Sequence, residues 1–310
     1  MSFTSPIAGQ KILVTGARGF LGSHLCTRLT ECGAEVHALS RTPEPEKMPR
    51  VCWWRVDLTD MTRVQELLRA IKPDSIYHLA GQTTAERERE LVLPVLQNTL
   101  LTTVHVLLVA GEIGCRRIVL AASLEEPPSG NGEVAPSSPY AAAKWASSVY
   151  ARMFHDLYGA PIVITRPFMT YGPGQRTTKI IPYLILSLLQ AQPPKLTSGQ
   201  RLVDWVYVND VIEGLVAAGQ VPGIEGCTID LGSGFLVSIH DVVQQLVKLV
   251  GARVEPLFGA LSERTLEQVR AADTAGAYQK LGWKAKTPLE KGLQLTVDWY
   301  RRTLVGSKSN

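Results

Sequence analysis

Tyr140 and Lys144 stand four residues apart in a chain of 310, at the start of a stretch whose pattern predicts a helix over residues 140–158. At that spacing both side chains project from one helical face. An ammonium beside a phenol favours the phenolate, drawing a group of ordinary pKa about 10 towards neutrality, where it exchanges a proton with a substrate hydroxyl. On an isolated helix such a pair is surface decoration. Here Ser123 closes a predicted strand over residues 117–121. The strand C-termini of an open α/β sheet line the ligand crevice, so a hydroxyl, a phenol and an ammonium meet there.

The elements that must position this trio begin with residues 11–22, an apolar strand over 12–14 running into a glycine-rich turn. Gly16 allows a tight exit from the strand, Gly19 lets the backbone approach a pyrophosphate, and Gly22 lets the following helix pack closely. The N–H groups of that helix start face phosphates, which makes the turn a dinucleotide site. A second strand over 36–39 arrives about twenty residues later and completes a βαβ unit. The alternation continues with strands over 51–56 and 75–79, helices over 63–71 and 91–111, and a strand over 162–165. Near-continuous apolar strands alternating with helices require a parallel sheet covered on both faces, an α/β doubly wound fold.

Past Arg166 proline and glycine become frequent and the elements shorten, which marks a smaller second lobe. The expected division is residues 1–166, with returning segments near 204–235, as the dinucleotide-binding domain, and 167–203 with 236–310 as a substrate lobe.

Net charge is +4, spread along the chain without a basic run, which argues against nucleic acid as the partner. Five cysteines, with no Cys-x-x-Cys pair, indicate neither a disulfide framework nor a zinc site and fit a reducing cytosol. No charged-then-apolar leader opens the sequence, and the longest apolar run, 104–110, falls short of a membrane span. A cytoplasmic protein without metal or membrane partner is expected. The histidines are dispersed; His24, His78 and His105 read as core or cap residues, and Trp53 and Trp54 as packing.

Together these segments resemble the extended short-chain dehydrogenase/reductase family of nucleotide-sugar epimerases, dehydratases and reductases. Its motifs appear as Thr15-Gly16-Ala17-Arg18-Gly19-Phe20-Leu21-Gly22, Asp57-Leu58, His78-Leu79-Ala80-Gly81, Asn98, Ser123, Tyr140 with Lys144, Arg166-Pro167, Tyr171 to Gly174, and Asp204 to Val208 followed by Asp210. The resemblance covers nearly the whole chain. It implies a Rossmann sheet with a smaller C-terminal α/β lobe, and a hydride passing between C4 of the sugar and a nicotinamide. Tyr140 would be the acid/base, Ser123 would hydrogen-bond the reacting oxygen, and Lys144 would hold the nicotinamide ribose and tune Tyr140. Asp57 and Leu58 would flank the adenine; Leu79, Ala80 and Gly81 would pass under the cofactor, with Ala121 and Pro167 completing its site. A homodimer through the Tyr140 helix and the preceding long helix is also implied, with Leu100, Val104, Leu107 and Leu108 as apolar material; packing within one subunit explains them equally well.

The second strand ends in Ser40-Arg41, where an NAD site usually carries an acid on the ribose 2′-hydroxyl. Arg41, with Arg18, suits a 2′-phosphate instead, so NADP is favoured and NAD stays open. Glu125 matches the proton-abstracting base of the family's dehydratases, and Ser123 to Glu126 also resembles a stretch of GDP-4-keto-6-deoxymannose reductases; as plain residues both glutamates read equally as loop charges. Leu124 replaces the aspartate of dTDP-glucose 4,6-dehydratases. Thr83 and Met169 fall on the substrate side, Met169 in place of a usual asparagine, while Val203 replaces a usual arginine. Arg264 fits the family's diphosphate-binding arginine, and Arg176 or Arg201 would add charge; each equally suits a surface position.

Overall fold

The computed structural model describes residues 7–42, 50–84, 86–127, 135–263 and 265–306. Ten strands occur among them. They are β1 (Lys11–Thr15), β2 (Glu35–Ser40), β3 (Val51–Arg55), β4 (Ser75–His78), β5 (Arg117–Ala121), β6 (Ile162–Pro167), β7 (Met169–Tyr171), β8 (Leu202–Tyr207), β9 (Thr228–Leu231) and β10 (Leu236–Ser238). Seven form one parallel sheet in the order β3-β2-β1-β4-β5-β6-β9. The order reverses between β1 and β4, and a crevice opens beyond the strand C-termini at such a switch point.

Side-chain alternation explains why both faces are covered. Ile12 and Val14 of β1, with Tyr77, Val119 and Val163, point to one side, whereas Leu13, Ile76, Ile118 and Ile162 join a second core on the other. The first side takes helices α1 (Phe20–Glu31) and, returning late in the chain, the helix that precedes β9; the second takes α2 (Met61–Ile71) and the helices before and after β5.

Those helices begin with α3 (Val92–Val95), a π turn (Leu96–Leu101) and α4 (Thr102–Ile113), which run on as one rod, followed by α5 (Pro139–Tyr158). The rod corrects one expectation: Arg89–Ile113 is long and apolar enough, by length and composition, to cross a membrane. Uninterrupted apolar runs miss it because Gln97, Asn98, Thr99 and His105 break the run without lowering the average far. Within the fold this rod packs on α2 and α5. Leu107 is 1% exposed inside the domain, whereas Leu108 is 42% exposed.

Helices α6 (Ile180–Leu189), α7 (Val208–Gln220), α8 (Ile239–Val250), α9 (Thr274–Leu281) and α10 (Leu289–Gly306) complete the chain. A three-stranded sheet, β10-β8-β7, carries the second lobe, with β8 antiparallel to β10 and parallel to β7. The segment near 204–235 is therefore divided: β8 stays in the small sheet, and only α7, packed on α1, and β9 return to the large one.

Candidate active site

The glycine turn is shaped by backbone that a side chain would displace. Gly16 sits at φ 67°, and a Cβ there would come within 2.8 Å of the Ala80 amide nitrogen. A Cβ on Gly22 would lie 2.2 Å from the Gly16 carbonyl oxygen, which fixes how closely α1 starts against the turn. Gly19 caps α1 from extended backbone, leaving N–H groups at the helix start directed outward with no side-chain cap. This bare helix terminus, beside the crevice and with no Cβ intruding, fits a dinucleotide pyrophosphate. Phe20 and Leu21 are half-buried on the first turn.

Beneath it, a buried hydrogen-bond chain ties β1 to β4 and the π turn. The Ala80 N–H donates to Thr15 Oγ1 at 3.1 Å, and Thr15 in turn donates to His78 Nδ1 at 2.9 Å, the acceptor nitrogen because Thr103, its own proton spent on the Thr99 carbonyl, takes the hydrogen of the other. His78 Nε2 then donates to Thr103 Oγ1 at 3.1 Å, and Thr103 to the Thr99 carbonyl at 2.7 Å. Burial, with the Lys144 charge adding, pushes His78 down to about 3, so it stays neutral as this network requires. Thr99 Oγ1 accepts from the Gln82 N–H at 3.2 Å, steadying the Leu79-Ala80-Gly81 stretch. Neither Thr15 nor Thr99 was among the expected site residues; the interruption of an apolar helix by a Gln-Asn-Thr run was the available signal, since π turns recur at functional sites.

Ser123, Tyr140 and Lys144 are brought together. Ser138 caps α5 by accepting from the Ala141 N–H at 3.1 Å, and Pro139 follows at the first helical position, so Tyr140 enters on the first turn. The Ser123 hydroxyl acts on the Tyr140 phenol, opposing the rise that burial gives it. Lys144, one turn on, is 5% exposed and donates to the Ala121 carbonyl at 2.6 Å, below Gly81.

The electrostatics differ from the expected ones. Burial pushes the Tyr140 phenol up to about 12, Glu125 and Glu126 adding to the rise and the Ser123 hydroxyl opposing it. Lys144 exerts no resolved pull on it; burial draws the ammonium itself down to about 8, against the attraction of Glu126. At neutral pH the phenol is therefore a proton donor and the lysine still largely charged.

The two adjacent glutamates part company. Glu126 is 1% exposed and accepts from the Ser123 N–H at 3.1 Å and the Ser148 hydroxyl at 2.9 Å. Glu125 is half-buried, takes the Ser137 hydroxyl at 3.1 Å and lies 3.8 Å from Arg201. Ser137, Glu126 and Ser148 were not predicted as site residues, though Ser148 continues the Tyr140, Lys144 spacing by one further turn.

At the end of β2, Arg41 donates to Asn98 Oδ1 at 2.7 Å and Arg18 to Thr42 Oγ1 at 2.8 Å, while Ser40 Oγ lies 2.9 Å from the same threonine hydroxyl. These groups form a polar, cationic rim where an acid would otherwise stand. Nearby, the N–H of Thr59 above all, aided by its hydroxyl and by Arg41, holds the Asp57 carboxyl below its ordinary range, and His105 donates to the Leu58 carbonyl at 2.9 Å. Pro167 ends β6 next to the Phe168 N–H bonded to Leu231.

On the substrate side the expected residues are scattered. Thr83 and Arg176 are exposed, Met169 is half-buried at the start of β7, and Arg264 lies outside the described residues. Arg201 lies 3.8 Å from Glu125, but pairs with Glu267 at 3.0 Å and donates to the Gln268 carbonyl at 3.2 Å, so its charge is already matched. Val203 is buried in the small sheet opposite Val237.

Comparison with known proteins agrees with this geometry. A family model described as "NAD dependent epimerase/dehydratase family" matches residues 12–229. The chain is 26% identical to a dTDP-glucose 4,6-dehydratase of Haemophilus influenzae over 94% of its own length and 98% of that enzyme. It is 29% identical to a UDP-glucose 4-epimerase of Mycolicibacterium smegmatis, over 94% and 99% of the two chains. Among solved structures, a UDP-glucuronic acid 4-epimerase of Bacillus cereus, in complex with UDP-glucuronic acid and NAD, superposes with a TM-score of 0.84 at 28% identity, covering 94% of this chain and 99% of that one.

Proposed function

Because this chain belongs to the NAD-dependent epimerase/dehydratase family, within the extended short-chain dehydrogenases/reductases, we propose that it interconverts a hydroxyl and a ketone at C4 of a nucleotide-activated sugar. The observation that carries this reading is the meeting of Ser123, Tyr140 and Lys144 beside the glycine turn, at the C-terminal end of β5. Retention of all three groups disfavours the alternative, a noncatalytic dinucleotide sensor on the same scaffold.

A bound nicotinamide supplies the hydride acceptor and donor. The turn from Gly16 to Gly22 would hold its pyrophosphate, Asp57 and Leu58 its adenine side, and Lys144 its nearer ribose. Ser123 Oγ donates to the reacting oxygen. Tyr140, protonated at neutral pH, gives its proton to a carbonyl oxygen in the reductive direction and accepts it back in the oxidative one. Glu125 beside Ser137, with the NADP-suited end of β2, tilts the reading towards a dehydratase or 4-ketoreductase rather than an epimerase. Arg41 and Arg18 at the end of β2 support NADP over NAD, two guanidiniums being suited to a 2′-phosphate.

The test is a panel of nucleotide sugars, each offered with NADP+ and with NAD+, and of their 4-keto derivatives, each offered with NADPH and with NADH, analysed by chromatography and mass spectrometry. A ketoreductase consumes reduced cofactor one for one, a dehydratase loses water with no net cofactor change, and an epimerase gives an isomer of unchanged mass. Turnover of no panel member would remove the nucleotide-sugar reading, and preference for NADH would remove the NADP one.

We also propose that two copies pair through α4 and α5. Leu108, Trp145 and Val149 are exposed apolar residues on these helices, and their burial fits a subunit interface. Sedimentation is expected to show a species of twice the 33.9 kDa chain mass. A monomer at every concentration would remove the pairing.

A further inference from the structure

Glu126 has no part in the chemistry above, yet it binds Ser123 directly and the catalytic helix through Ser148. Oε1 accepts from the Ser123 N–H and from the Ser148 hydroxyl, and Oε2 lies 3.8 Å from Arg166. Tyr140, Lys144 and Ser148 succeed one another at four-residue spacing on one stripe of α5. The links run from Ser123 through Glu126 to Ser148, and along the helix to Lys144 and to Tyr140, on whose phenol the Ser123 hydroxyl acts.

We propose that Glu126 is a positioning residue, which locks Ser123 to the catalytic helix through Ser148 and supplies the buried negative charge that faces Lys144. This rests on the Ser/Tyr/Lys reading given above. A carboxylate so deeply buried is retained only when paired and hydrogen-bonded. Burial raises its carboxyl; Arg166 opposes that most strongly, followed by the Ser148 hydroxyl and the Ser123 N–H. Arg166 is itself anchored to Asp230 at 2.8 Å, and Asp230 to Arg270 at 3.1 Å, so the counter-charge is fixed from β6 and β9. Among the described residues the charge resolved as acting on Lys144 is Glu126 after β5, which favours the ammonium, as does the Ala121 carbonyl that accepts from it; His78 on β4 is held neutral.

Glu126→Gln keeps the shape and removes the charge. The probe is the titration of the Lys144 ε-carbon in protein labelled with carbon-13 lysine, its resonance identified by its disappearance in Lys144→Arg. This readout needs no substrate, so it stands apart from whether any nucleotide sugar is turned over. The midpoint, near 8 in the native protein, is expected to fall by about one pH unit in Glu126→Gln, as removal of a nearby opposite charge requires. With a substrate from the panel, kcat is expected to fall about tenfold with KM unchanged, a positioning loss, and the alkaline limb of activity to move to lower pH. Ser148→Ala cuts the tie but leaves the charge, so kcat falls while the midpoint stays. Glu126→Asp restores the midpoint. An unmoved midpoint in Glu126→Gln, or an unchanged kcat in both variants, overturns the proposal. A common loss of melting temperature in all three variants without either change does so as well.

Discussion

Tyr140→Phe is expected to reduce turnover on the order of 10³-fold while leaving NAD(P) affinity within about twofold of the native protein. The variant removes one oxygen. Packing of the ring is kept, and so is the glycine turn that would carry most of the cofactor contacts. What disappears is the phenol that burial holds protonated beside Ser123. Stopped turnover with intact cofactor titration assigns the proton to Tyr140; unchanged turnover would take the phenol out of the mechanism altogether. The rate should also decline as pH rises through about 8, because the Lys144 ammonium is lost there, well before the phenol ionises.

Gly22→Ala is expected to weaken dinucleotide binding about 100-fold and to cost about 1–3 kcal/mol of stability. Its methyl would stand 2.2 Å from the Gly16 carbonyl oxygen and 2.8 Å from Ala17 Cα, both main-chain neighbours that no rotamer change can clear. The turn must shift, and with it the N–H groups at the start of α1. Gly111→Ala in α4 is the control, since nothing lies within 4 Å of a Cβ there. Replacing a helical glycine in open space is expected to raise stability by up to about 1 kcal/mol. Calorimetric titration with NADP and NAD, together with thermal melts, separates the two; native affinity in Gly22→Ala would mean that the turn does not bear the pyrophosphate.

Much of the large sheet could be read from the residues because its signals are local. The continuous apolar run 118–122 ends at polar Ser123, and the 3.6-residue pattern of α5 starts at a serine cap followed by proline. Tyr140, Lys144 and Ser123 were legible for the same reason, since helical spacing and a strand end fix their directions. Glu126 was not, because an acid in a proline-rich loop gives no sign of burial; only the approach of Ser148 and Arg166, 22 and 40 positions away, encloses it. Arg201 illustrates the reverse error. A cation two residues before the unusual Val203 suggested free charge, but its partner Glu267 arrives from 66 residues downstream. The assignment of β8 to the small sheet is equally non-local, being decided by pairing with β7 and β10 rather than by its own apolar sequence.

The polypeptide passes from large sheet to small after β6, back between β8 and α7, and out again after β9. The two sheets are thus interleaved along the chain, and no contiguous block contains the small sheet alone. Such a molecule cannot acquire new specificity by exchanging a terminal cassette, as modular enzymes do. Retuning has to proceed by point changes and loop replacements within a scaffold whose crossings stay fixed.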